Sequence, residues 1–112
     1  MIPKTEGWKP FDSGRSLGGR GSEGGVILLD DEHVDGARIT IERGGSTAPF
    51  SITCGVYGWL AHTRFFGTEA EAQKECAEMK VALTDLLGKL DECGEDLRSA
   101  GEHCSEFVER FP

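Results

Sequence analysis

The sequence predicts an α+β domain in which a four-stranded antiparallel meander is followed by one long C-terminal helix. Three observations carry that prediction. Short apolar segments between Gly25 and Phe66 alternate with a period of two, glycine-containing turns separate them, and from Thr68 onward the apolar spacing lengthens to the four-three rhythm of a helix. At 112 residues the chain has the length of one domain.

Residues 1–24 are read as a flexible glycine-rich arm ahead of a single α+β domain over residues 25–112. Seven of the sixteen glycines fall within the first 25 residues, and glycine at that density loses much chain entropy on ordering. Trp8, Phe11 and Leu17 are the residues able to tack the arm down. The run GGRGSEGG over residues 18–25 invites comparison with phosphate-cradling loops. It lacks the Lys-Ser/Thr ending of a P-loop, and it lacks the strand-then-helix setting of a dinucleotide fingerprint.

The strands follow from alternation. Val26 to Asp31 is apolar with branched residues, and Asp35-Gly36 supplies the turn after it. Arg38 to Arg43 sets Ile39 and Ile41 against Arg38, Thr40 and Glu42, the signature of a half-buried strand. Gly44-Gly45 opens the next turn, Phe50 to Cys54 aligns Phe50, Ile52 and Cys54 on one side, and the stretch Gly55 to Gly58 leads into a fourth strand from Trp59 to Phe66. Loops this short join antiparallel neighbours, because parallel pairs need long crossovers.

The helix begins at Thr68-Glu-Ala-Glu71, which fits a capping box. Ala72, Cys76, Met79, Leu83, Leu86, Leu90, Cys93, Leu97, Ala100, Cys104, Phe107 and Phe111 then form one uninterrupted seam. Gly88, Gly94 and Gly101 disfavour a continuous helix by about 1 kcal/mol each relative to alanine, so the alternative is a helical hairpin broken near Gly88 to Asp91. The unbroken phase favours one helix. Residues 69–111 would then extend about 65 Å at about 1.5 Å per residue, far beyond a compact domain, and the distal seam would need a second chain. Self-association through the helical seam, as a homodimer or higher oligomer, is the expected partnership.

Charge narrows the function classes. The net charge is -8, and residues 68–112 hold twelve acids against five bases. An acidic helix repels phosphate backbones, so no nucleic-acid partner is expected. No run of eighteen apolar residues offers a membrane span, and Met1 to Phe11 lacks the apolar centre of a secretory signal. No membrane partner is expected, and residence is expected to be cytoplasmic.

Candidate chemistry is sparse. Cys54, Cys76, Cys93 and Cys104 contain no CxxC pair, and three of them occupy seam positions; they are read as small buried apolar residues, with a thiol or metal-binding protein as an alternative function. No metal site and no cofactor is assigned. Asp30, Asp31, Glu32 and His33 lack the spaced ligands of a calcium loop, and no glycine-flanked serine marks a nucleophile, so no catalytic residue is named. The ligand-binding candidates are His62, Arg64 and Tyr57. His62 and Arg64 share one face of the fourth strand; if the helix covers Trp59, Ala61 and Phe65 instead, they emerge with Tyr57 as a group suited to a small anionic ligand. The leading expectation is a non-enzymatic, homo-oligomeric interaction or ligand-binding module. A small enzyme or anion sensor built on those three residues is its rival.

Overall fold

The period-two segments do form an antiparallel meander, but it has five strands. A computed structural model describes residues 6–112. Its strands are β1 (Trp8–Pro10), β2 (Val26–His33), β3 (Ala37–Arg43), β4 (Phe50–Val56) and β5 (Leu60–Phe66), followed by helices α1 (Glu69–Cys93) and α2 (Leu97–Arg110). The sheet order is β1-β2-β3-β4-β5, with every neighbour antiparallel.

The additional strand comes from the segment expected to be a flexible arm. Residues 1–5 lie outside the described residues, but residues 6–24 are woven into the domain. Trp8 pairs with His33 at the β1 edge, and the Trp8 indole donates to the Thr84 hydroxyl at 3.2 Å. Gly18 and Gly19 exchange backbone hydrogen bonds with Ile27, both at 2.9 Å. The Glu42 carboxylate accepts from the amides of Gly25 at 3.0 Å and Glu23 at 3.1 Å, closing the loop over residues 21–25. The glycine run is therefore an anion cradle, and its anion is a side chain of the same protein. A Cβ on Gly21 would sit 2.3 Å from the Glu42 carboxyl carbon, so only glycine allows this approach. Composition suggested disorder because the partner that orders the segment lies about twenty residues away in sequence.

The apolar residues of β3 and β4 fix which face is covered. Ala37, Ile39, Ile41, Ile52, Cys54 and Val56 form one wall of the core, and Ala72, Cys76, Met79, Leu83 and Leu86 of α1 form the other. Thr68 caps α1 as the sequence indicates, its hydroxyl accepting from the Glu71 amide at 3.2 Å.

The single long helix is not what forms. The seam breaks at Gly94, whose φ of +55° reverses the chain, and Asp96 caps α2 by accepting from the Ser99 amide at 3.1 Å. The hairpin is thus the correct architecture, with its break at Gly94–Asp96 rather than between Gly88 and Asp91. Folding back brings Cys104, Phe107 and Phe111 into the same core as Leu83 and Leu86. The molecule has a radius of gyration of 13.9 Å and its longest dimension is 39 Å, well short of the span of about 65 Å that a continuous helix would need. The four-three rhythm survives across the three-residue break by coincidence of spacing, and Leu97, a seam position, is 66% exposed. Of the distal seam, Ala100, Cys104, Phe107 and Phe111 are buried within their own chain.

That difference is measurable. Phe107→Ala should destabilise the protein by about 3–5 kcal/mol in urea unfolding, whereas Leu97→Ala should change stability by less than about 0.5 kcal/mol. Equal losses at both positions, accompanied by loss of an oligomer, would restore the continuous seam.

Candidate functional site

One face of the sheet carries the helices, and the other is only partly roofed. The loop over residues 11–25 covers its β2 side, with Phe11 stacked 3.5 Å beneath the Arg38 guanidinium carbon and Gly21 against Glu42. The remaining area over β3, β4 and β5 is a groove of about 720 Å³. The strand register defines its floor in rows. Arg38, Gly55 and Ala61 make one row, Thr40, Thr53 and Thr63 the next, and Glu42, Ser51 and Phe65 a third. Small residues in the first row create the hollow, and Tyr57 and Trp59, 54% and 41% exposed, stand at its end on the β4–β5 turn. Gly58 adopts a φ of +81° there, and the Trp59 amide donates to the Val56 carbonyl at 2.9 Å, as in a turn with glycine at its third position.

Most charged groups around the groove are already matched. Arg38 donates to both oxygens of Asp30, from Nε at 2.8 Å and Nη2 at 2.6 Å, and the Thr40 hydroxyl lies 3.4 Å from the same carboxylate. Burial raises the Asp30 carboxyl, but the Arg38 hydrogen bonds and charge, with help from Ser16 and Thr40, carry it below the ordinary carboxylate value. The Tyr57 hydroxyl donates to Glu32 at 2.7 Å; partial burial and that carboxylate push the phenol up to about 12. Glu42 is held by the loop amides. Arg20, at the rim, donates to the Gly24 carbonyl.

The three sequence candidates do not come together. His62 and Arg64 lie on the helix-covered face, in register with Cys54 and Ile52. Arg64 forms an ion pair with Glu75 at 2.9 Å, donates from Nε to the Pro112 carbonyl at 3.2 Å, and is 11% exposed. The His62 ring bonds the Phe111 carbonyl through Nε2. Both side chains dock the C-terminal end onto β5. Tyr57 alone borders the groove. The face assignment turns on one residue: the β4–β5 turn occupies Tyr57–Trp59 and pairs Val56 with Leu60, which puts Leu60, His62 and Arg64 beside the core. A one-residue slip exchanges the two faces of a strand. The readable signal was Gly55 and Ala61 flanking two aromatic residues, a hollow next to exposed rings.

Cys54, Cys76 and Cys104 belong to the core cluster, and Cys54 also borders the groove. Burial pushes the Cys54 thiol up to about 12 and the Cys76 thiol up to about 11, and raises Cys104 as well. Among the described residues no group of three or more His, Cys, Asp or Glu side chains is arranged to hold a metal ion, and no helix is long and apolar enough to cross a membrane. Comparison with protein-family models, curated proteins and solved structures finds no match to this chain.

Two outcomes follow from these environments. In the native state near pH 7.5 a thiol reagent should label Cys93, which is half-buried, before the other three cysteines, with Cys54 and Cys76 reacting only on unfolding; rapid modification of Cys54 or Cys76 would contradict their burial. Asp30→Asn should destabilise by about 2 kcal/mol at pH 7. A carboxyl lowered by folding contributes above its unfolded value, ordinarily about 3.9, and the contribution disappears as pH falls through the lowered folded value. The gap between native and Asp30→Asn proteins should therefore narrow below about pH 4.

Proposed function

We propose that this protein is a non-enzymatic binding module whose ligand occupies the open groove on β3, β4 and β5. The observation that carries the reading is the combination of an uncovered hollow with two exposed aromatic rings at one end and matched charges around most of its rim. A concave site of about 720 Å³ falls within the usual size of small-molecule sites, about 300–1,000 Å³. Tyr57 and Trp59 offer ring faces, Thr40 and Thr53 offer hydroxyls on the floor, and Gly55 and Ala61 leave the space between them.

The chemistry favours an uncharged, largely planar ligand. The Arg38 fork is engaged by Asp30, so an incoming carboxylate or phosphate would have to displace a bidentate internal pair. Binding is favoured over catalysis because Asp30 is held below the ordinary carboxylate value and Tyr57 is raised to about 12. Neither changes protonation near neutrality, where a general acid or base would have to act. His62 and Arg64, the basis of the anion-sensor reading, are engaged with the C-terminal residues and Glu75.

Indole and 2-naphthol are suitable probes. Titrated into isotopically labelled protein, they should shift the amide signals of Thr53, Gly55 and Ala61 and perturb Trp59 fluorescence, with 2-naphthoate binding at least about tenfold more weakly than 2-naphthol. Ala61→Arg should abolish these shifts while leaving the circular dichroism unchanged. Shifts confined to other surfaces, or stronger binding of the anion, would overturn the reading.

A further inference from the structure

The two edges of the sheet are built differently. β1 is three residues long and contains Lys9 and Pro10, features that discourage strand addition. β5 runs seven residues, Leu60–Phe66, without proline, glycine or lysine, and its seven pairs with β4 are in continuous register with no bulge. Among the described residues, no backbone hydrogen bond from outside the sheet reaches β5. Its outer N–H and C=O groups form a template for another strand. The C-terminal residues that approach β5 meet side chains, through His62 and Arg64, rather than its backbone.

We infer that the occupant of this edge is β5 of a second copy, paired antiparallel about a two-fold axis at Thr63. The sequence of the strand is self-complementary in that register. Leu60 meets Phe66, Ala61 meets Phe65, His62 meets Arg64 and Thr63 meets Thr63, so all seven residues are paired. On the open face, exposed Phe65 lies opposite exposed Ala61, a large side chain against a small one. Centring the axis one residue later would oppose Arg64 to Arg64. In the Thr63 register each Arg64 instead keeps its own Glu75 at 2.9 Å and faces His62.

Charge permits pairing of two copies at this edge. The chain carries -8, most of it on the helical part, and like charge opposes association. Neither edge strand contains a carboxylate, so strand length and the Lys9-Pro10 pair of β1, not charge, distinguish β5 from β1. Pairing would give a sheet of about ten strands, within the range that open sheets adopt, with the helices of both copies on one face. The partner's Phe65 then stands beside Ala61, which lines the groove, and supplies a wall on the side where a single copy leaves the groove open.

The experiment measures association of the full chain directly. Sedimentation equilibrium of the native protein should show a dimer, and Phe65→Lys, an exposed position, should raise its dissociation constant at least about tenfold with unchanged circular dichroism. Thr63→Cys should form a disulfide-linked dimer in oxidised glutathione, under conditions where the native chain does not cross-link. A native chain that remains monomeric up to 200 µM would overturn the inference. So would a dimer that resists Phe65→Lys and fails to cross-link through Cys at position 63, because it would use another surface. Binding of 2-naphthol is scored separately, so failure of the dimer and failure of the groove are distinguishable.

Discussion

A helix is narrower than the sheet it has to cover. Five strands spaced about 4.8 Å apart span about 19 Å, while one helix with its side chains is about 10–12 Å wide. α1 lies over the middle of the sheet, against β3 and β4. On one flank it reaches β1 and β2 through Thr84 to Trp8 and Lys80 to Asp31, and on the other it reaches β5 through Glu75 and Met79 to Arg64. The rest of the apolar face is closed by bringing the chain back, which places Phe107 and Phe111 in the core. The reversal at Gly94 thus answers a geometric need that a straight extension of α1 could not meet.

The same constraint decides what His62 and Arg64 do. Both stand on the covered face at the edge of the sheet, where the returning chain arrives. A guanidinium only 11% exposed requires a partner, and Glu75 supplies it while the rings of Phe66 and Phe111 lie about its cation at 5.0 and 5.2 Å. Truncating one member of such a buried pair is far more damaging than replacing the pair with apolar groups. Arg64 is therefore a joint between β5, α1 and the C-terminal end. Residues of this kind attract functional readings from sequence because a cation and an imidazole two positions apart look like a ligand group; here the ligands are Glu75 and the final carbonyls.

What the sequence made legible were the local features. The alternation of β3 and β4, the cap at Thr68, and the first half of the helical seam correspond to observed elements, because each depends on neighbours within a few residues. Three features depended on distant partners and were hidden. The glycine-rich segment is ordered by Glu42, the seam is interrupted although its phase continues, and the exposed face of β5 depends on a turn placed one residue later than its glycines suggest. Gly94 and Asp96 together did contain the break, since glycine can reverse a helix and Asp96 lies three residues before Ser99. The uninterrupted spacing of apolar residues concealed it. Tyr57 remains beside the candidate groove, while Arg38, Thr40, Thr53 and Ala61 enter only when the register across three strands is known.

The open face shows how a sheet can leave one side unroofed without losing definition. Its polar residues are held by one another: Asp30 by Arg38, Glu32 by Tyr57, and Thr53 by Thr63 with their hydroxyls 3.2 Å apart. These links hold the side chains that surround the hollow, so a ligand of the proposed kind would meet a groove already shaped, which would reduce the ordering cost of binding. Ala61 then has two roles that meet at one position. As a small residue it gives the groove its depth, and on the unpaired edge it faces wherever a neighbouring strand would place its side chain. A larger residue there would fill the hollow and crowd that neighbour at once, so the geometry couples the groove to the edge through a single methyl group.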